Sequence, residues 1–571
     1  KRRLFLSGIF LFLLGVLFLT NAEPNFPCNN DLSHYIGAAK SLLAGDGYTF
    51  NGRSETLYPP GLSLSIAGII FAFGDKYIYF SRYVAVCSIL CLLFTFLYYK
   101  LRHLQNGIIY CIIIACSPVY FKYSTELGSD ILFMMSSMGF ICFAELIKNH
   151  ERDLQRKYLP PLAGIFLLYA VAGRSVGMAL VAAIGATIVH SLYNHRKTSS
   201  FRHIDFSFIG FFVMGLSFYL LWSYWSHVNM TPLYDNEFRE SYFRQFWLLD
   251  PHQPDMGNET PFFVFVRMLN NIPIQIAHLV EYLTNIDWIE PLWLSPLTIC
   301  SVVIIGTGLA IELRRPYPLA GWYAIFYAVI ILGWPYNENK RFILAAMPII
   351  IILLVQGARE LVRFSQTDFA SIKKYVLYLS IFSLTGSLIQ LLMANTYSKQ
   401  EIIFMILWCI VILTLFFPYR VLYVFFLTPR TKSFALPCYM ILFIIHSNFL
   451  VITNINDRVS QQMNYPLENI SLWLQNNTSP VTTIISQSSA SIHYLTRRKT
   501  VPLPITGNTN ILSSAINNFQ PEYLVIDKTK YVHAYYRPTE EDRFRILEVL
   551  FPGRFRKVYE YKDIAIYHVR L

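Results

Sequence analysis

Apolar runs of about 17–22 residues alternate with short polar stretches through the first 453 positions, each long enough to cross a bilayer core of roughly 30 Å as a helix. They predict about thirteen spans, near 4–20, 77–99, 107–122, 128–147, 159–173, 175–193, 206–226, 291–312, 319–334, 342–358, 374–394, 401–418 and 434–453. Arg174 alone divides the fifth from the sixth. From 454 onward the apolar runs shorten and charges become denser. There "LENISLWLQNN" has helical spacing, and "TTIISQ" and "EYLVIDK" read as buried strands. The closing "FRKVYEYKDIAIYHVRL" reads as a hairpin turning at Tyr561-Lys562-Asp563. The expected architecture is a mainly α polytopic membrane domain, 1–453, followed by a soluble α/β domain, 454–571. No internal repeat or low-complexity segment stands out.

Composition agrees with the membrane reading. Hydrophobic residues make up 54% and charged residues 14%, with a mean hydropathy of +0.41; a soluble domain carries roughly 25% charged residues. The net charge of +12 does not point to nucleic acid, because the basic residues cluster in short loops between spans. Lys1-Arg2-Arg3, Lys100 with Arg102, and the clusters at 148–157, 196–202, 314–315, 359–374 and 420–432 fall on one side of the predicted arrangement. The positive-inside rule makes that side cytoplasmic. The N-terminus is then cytoplasmic, and the loops 21–76 and 227–290 and the C-terminal domain are extracytoplasmic. The first span lacks a small-residue cleavage site and reads as a retained anchor. The nine cysteines show neither a disulfide framework nor zinc spacing.

Polar residues on the outer side supply the chemistry. "NNDLSHYIGAAKSLLAGDGYTF", 29–50, follows the first span. Helical spacing puts Asp31 and Tyr35 on one face with His34 beside them, and Gly45-Asp46-Gly47 ends the helix. Such a helix lies at the membrane surface and presents its carboxylate where headgroups meet water. Asp is also a favoured N-cap, so both readings of Asp31 stand. Tyr58-Pro59-Pro60-Gly61 breaks the chain before a reentrant or interfacial apolar segment, or is a plain turn. Glu126 and Asp130 are spaced one helical turn apart at the outer end of the fourth span, where carboxylates are costly and point to function. Together with Asp31 they are suited to bind a metal, orient an acceptor or hold a base. Arg174, Lys340 and Arg341 stand outside against the positive-inside tendency. They suit an anionic lipid phosphate, or act as snorkelling anchors.

The order of these segments resembles the GT-C superfamily of membrane glycosyltransferases, in particular the branch of protein O-mannosyltransferases (dolichyl-phosphate-mannose-protein mannosyltransferase-like) and aminoarabinose transferases. It rests on "NNDLSHYIGAAKSLLAGDGYTF", "YPPGLSLSIAG", "SDILF", "GRSVG" and "KRFILAAMPII", and in the tail on "LENISLWLQNN", "SIHYLTRRKTVPLP", "PEYLVIDK" and "AIYHV". The resemblance implies a polyprenyl-phosphate sugar as donor, an inverting transfer, and a glycan, lipid or protein as acceptor. It implies Asp31 as catalytic base or acceptor-positioning residue, and matches Asp130 to the family's acidic residue. It aligns Arg174 and Arg341 with the donor-phosphate region, leaving Tyr35, His34, Tyr58, Glu126 and Lys340 as further substrate contacts. Some relatives use a divalent metal (Mg or Mn); none is required by the reading of this sequence, and Asp31, Glu126 and Asp130 are the candidate ligands for one. Two departures concern substrate identity: Leu32 replaces the second acidic residue of the mannosyltransferases, and Tyr58 stands where aminoarabinose transferases carry a lysine before the prolines.

Other classes compete with this reading. An O-antigen ligase or polymerase shares the outer arginines but depends on a large loop between spans. A lipid or sugar flippase calls for two related halves with broken helices, and the sequence shows no such symmetry. The triplets "NMT", "NET", "NIS" and "NNT" all fall outside, but arise easily by chance. With no disulfide framework or retention signal, the expected location is a bacterial or archaeal plasma (inner) membrane, with the working face in the periplasm or cell envelope.

Overall fold

The computed structural model describes residues 2–27, 29–104, 107–149, 158–195, 203–231, 233, 242–250, 256–284, 296–335, 340–367, 466–528 and 538–570. The spans expected at 374–394, 401–418 and 434–453 lie outside the described residues.

The membrane part begins with α1 (Arg2–Thr20), α2 (Asn30–Ala44), a small hairpin β1 (Thr49–Phe50) and β2 (Arg53–Ser54), and α3 (Gly61–Phe73). Then come α4 (Tyr77–Leu101), α5 (Gly107–Ala115), α6 (Pro118–Thr125), α7 (Ser129–Asn149), α8 (Leu159–Gly173), α9 (Met178–His195) and α10 (His203–Asn229). The series closes with α11 (Tyr242–Trp247), α12 (Pro261–Thr284), α13 (Pro296–Leu313), α14 (Leu319–Gly333), α15 (Arg341–Leu344) and α16 (Met347–Thr367). Among the described residues five helices are long and apolar enough to cross a membrane, which makes this a multi-pass membrane protein. The central one is α7, whose apolar window is 83% buried. Side chains on all of its sides therefore pack against protein rather than lipid.

Three expectations about the spans change. The run at 107–122 is two helices bent by 68° at Cys116-Ser117, because Pro118 cannot continue the hydrogen-bond ladder and instead starts α6. The run at 342–358 divides at Ala345-Ala346 into α15 and α16. The loop expected at 227–290 contains α12, of which Pro261–Leu283 is itself long and apolar enough to span. Its Arg267, Asn271, Gln275, His278 and Glu281 lower its hydropathy to 1.3 and hid it among loop residues.

At the end of α4 a buried charge network ties three helices together. Arg102 pairs with Glu312 of α13 and lies 3.8 Å from Glu145 of α7, while Arg315 reaches Glu312 at 3.2 Å. The Glu312 side chain has no solvent exposure.

The tail forms a five-stranded sheet in the order β4-β3-β5-β7-β6. Its elements are α17 (Pro466–Asn477), β3 (Thr483–Ser486), α18 (Ser489–Thr496), β4 (Lys499–Pro502), α19 (Thr509–Phe519), β5 (Tyr523–Asp527), α20 (Glu540–Leu550), β6 (Phe555–Tyr561) and β7 (Ile564–Val569). Strand β3 pairs in parallel with β4 and β5, whereas β5–β7 and β6–β7 are antiparallel. Successive strand residues face opposite ways. Ile485 and Leu524 therefore pack with α19 and α20, while Ile484 and Val525 pack with α17. The hairpin turns at Lys562, whose φ is +52°, as its tripeptide suggested.

This sheet rests on the first loop. Asn30 donates to the Gln487 carbonyl at 3.4 Å and accepts from the Ser491 amide at 3.2 Å, and Asn51 donates to the Thr500 carbonyl at 2.6 Å. The Lys40 ammonium sits 4.8 Å from the centre of the Tyr494 ring.

Two stability predictions follow from these charges. Glu312→Ala removes the nearer of the two carboxylates that hold Arg102 and is expected to cost about 3–5 kcal/mol, while a double replacement of Glu312 and Arg102 by Met recovers most of it, as read by unfolding in detergent. In the tail, burial raises the Glu540 carboxyl to about 7 from 4.5. The folded segment keeps this proton while the unfolded chain releases it, so the contribution is full below about 4.5 and is lost as pH rises to about 7. Amide exchange of β5, corrected for intrinsic rates, is expected to show up to about 3 kcal/mol less protection at pH 7.5 than at pH 4.5. Glu540→Gln removes that dependence.

Candidate functional site

Helix α2 is capped by Asn29, not by Asp31. The Asn29 side chain accepts from the Asp31 and Leu32 amides at 2.8 and 3.4 Å, in the β-region geometry of an N-cap. Gly45 ends the helix at φ +88°, as the glycine pair suggested. With the cap supplied by its neighbour, the Asp31 carboxylate accepts a 2.6 Å hydrogen bond from the Tyr58 hydroxyl. The residue that departs from the aminoarabinose transferase pattern is thus the donor to Asp31.

The loop carrying Tyr58 is held by Glu55, which is 5% exposed. Its Oε1 accepts from the Leu57 and Tyr58 amides at 3.2 and 3.4 Å, and its Oε2 lies 2.5 Å from His34 Nδ1. Gly37 lets the Phe50 ring lie directly on α2, since a Cβ there would come within 2.2 Å of it. The Phe50 ring stands 4.4 Å from that of His34. Gly61 does the same for α3: a Cβ would meet the Ala172 backbone at 2.7 Å. That approach brings the Tyr58 loop beside the turn that carries Arg174.

Asp130 opens α7 and is 2% exposed. It pairs with Arg174 Nη1, and Arg341 Nε reaches its two oxygens at 3.1 and 3.0 Å. Arg174 comes from the break between α8 and α9 and Arg341 from the start of α15. Tyr327 of α14 donates to the Phe342 carbonyl at 2.8 Å and so secures the turn of Arg341. Two guanidiniums converge on one carboxylate at a half-buried position, and guanidiniums are the side chains suited to hold an anion such as a phosphate.

Tyr35 lies between the two groups. Its ring lies 4.9 Å from that of Tyr58, tilted by 55°, and its hydroxyl donates to Ser129 at 3.4 Å. Burial pushes its phenol up to about 12, with Asp31, Arg174 and Arg341 all close enough to act on it. At neutral pH it is a neutral hydroxyl between a carboxylate and two cations.

Two expected residues go elsewhere. Glu126 caps α6 in extended conformation, so it does not share a helix with Asp130; the Leu127-Gly128 break separates them despite their spacing of four. Lys340 lies 3.5 Å from Glu281 of α12, whose carboxylate also meets His278 at 3.1 Å. Asp31, Glu126 and Asp130 do not form a metal-binding group, and no three His, Cys, Asp or Glu side chains do so among the described residues. Asp130 faces guanidiniums, the opposite of what a divalent cation needs. Sequence reasoning passed over Glu55, although "ETLYPP" places it three residues before Tyr58. Asn29 and Tyr327 left no comparable signal.

No family model matches the chain, and no curated protein matches it in sequence. Solved structures do. ArnT from Cupriavidus metallidurans bound to undecaprenyl phosphate aligns with a TM-score of 0.54 at 12% identity, over 99% of this chain and 97% of that one. The same protein in its apo state gives 0.51 at 11% identity, over 99% and 97%. The chain therefore shares the fold of ArnT, in line with the resemblance drawn from the motif order.

Asp130→Asn removes the carboxylate that Arg174 and Arg341 share, and is expected to cost about 3–5 kcal/mol. Sodium phosphate should restore more of that loss than sodium chloride of equal ionic strength, read by thermal unfolding. Equal recovery by both salts would show general screening and no anion site.

Proposed function

We propose that this protein is an integral-membrane glycosyltransferase that moves a sugar from a polyprenyl-phosphate donor to an acceptor hydroxyl, with inversion, on the extracytoplasmic face of a plasma membrane. The observation that carries the reading is one centre, built from α2, α7 and α15, in which a carboxylate and a pair of guanidiniums stand on either side of Tyr35. The bound undecaprenyl phosphate of the ArnT structure supports the donor class.

The chemistry follows from charge. The acceptor oxygen forms a bond to the anomeric carbon as the bond from that carbon to the phosphate oxygen breaks. The acceptor proton passes to Asp31, and the polyprenyl phosphate leaves with one more negative charge than it carried as a diester. Arg174 and Arg341 stabilise that added charge. Asp130 fixes both guanidiniums and is a positioning residue. Tyr58 orients Asp31, which retains acceptor capacity for the incoming hydroxyl. The lipid delivers the sugar already activated, and the sequence carries no P-loop or dinucleotide fingerprint.

Purified protein, a panel of radiolabelled polyprenyl-phosphate sugars and a membrane extract as acceptor test the reading. Label is expected to move to extract from at least one donor. Arg174→Lys and Arg341→Lys, which lose the bidentate fork, are each expected to lower transfer by roughly 10- to 150-fold. Movement of labelled lipid across vesicles without transfer would instead establish a flippase.

A further inference from the structure

Beside this centre lies a cavity of about 130 Å³, with room for on the order of ten water-sized positions. Three distant stretches wall it: His34 with the β1–β2 strip, Met230-Thr231 with Leu233, and the tail at Ser489-Ala490, Thr500 and Pro502. It shares His34 with the centre, while Asp31, Arg174 and Arg341 are not among its lining residues.

The lining has a definite chemistry. Phe50 supplies an aromatic ring held between His34, 4.4 Å away, and His493, 5.0 Å away. Ser54, Thr56, Thr231 and Ser489 bring hydroxyls to the wall, while Asn51 and Thr500 bond to each other across it and join the β1–β2 strip to the tail. The acidic group, Glu55, is engaged by His34, and the cation, Arg53, donates to Thr231 at 3.1 Å. A phosphate would find one guanidinium beside a carboxylate, and a lipid tail would strand the hydroxyls. A neutral polyhydroxylated ring matches both the aromatic face and the hydrogen-bonding rim.

We infer that this cavity is the acceptor subsite and that it takes a neutral sugar, whose hydroxyl it delivers to Asp31. The inference rests on the transferase reading and gives the tail a role, since Ser489 and Thr500 complete the wall. His34 serves both sides: its ring lines the cavity and stands 5.3 Å from that of Tyr58, the donor to Asp31.

The test is binding, not turnover. Saturation-transfer NMR on the full chain in detergent uses a panel of neutral methyl glycosides as probes. At least one glycoside is expected to bind. Ser54→Trp, which fills the cavity, should weaken binding by roughly tenfold or more, whereas Ser54→Thr should leave it near wild type. If Ser54→Trp does not fold, Ala490→Leu obstructs the same space from the tail side. Undecaprenyl phosphate should not displace the glycoside. No binding by any glycoside, binding untouched by the filled cavity, or displacement by undecaprenyl phosphate would each overturn the assignment. A chain that binds glycosides here but transfers nothing from any donor would fail the transferase reading and keep the sugar site, so the two failures are read separately.

Discussion

The contact on which the rest depends is the pairing of Asp130 with Arg174 and Arg341. A carboxylate at 2% exposure is tolerated in a largely apolar bundle only when opposite charge meets it. Meeting it requires the first turn of α7, the break between α8 and α9 and the start of α15 to converge on one point. The same convergence gathers two guanidiniums at this end of the bundle. At the C-terminal end of α4 the bundle is closed by a second network, in which Arg102, Arg315 and Lys148 meet Glu145 and Glu312.

Much of this was legible in the chain. Helix α2 and its stop at Gly45, the break at Pro59-Pro60, the strands at 483–486 and 523–527 and the terminal hairpin all follow from local patterns, and the structure has them. Asp31, Tyr35, Tyr58, Asp130, Arg174 and Arg341 were singled out, and the structure brings them together. Local reasoning failed where a partner distant in sequence decides. Spacing of four suggested that Glu126 and Asp130 share a helix face, but Gly128 lies in a break and the two part. Polar residues on α12 resembled loop composition, because their partners on the neighbouring helix ends, such as the Gly333 and Trp334 carbonyls, cannot be seen from the run itself. Glu55 was invisible as a site residue because its role consists of holding His34 and two loop amides.

The tail is joined to the helix that carries Asp31 by short-range contacts. Asn30 and Ser33, on the first turn of α2, bond to Gln487 and Ser491, and Asn51 bonds to Thr500. The helix that carries Asp31 is therefore clamped between the bundle and the C-terminal sheet.

The most direct test of the account is donor-to-acceptor transfer by Asp31→Asn. Asparagine keeps an oxygen to accept from Tyr58, so helix and loop stay in place while basicity is lost. The account predicts transfer reduced by roughly 100-fold or more, with polyprenyl-phosphate binding unchanged. Transfer at the wild-type rate would contradict it and leave Asp31 a residue that holds Tyr58 and nothing more.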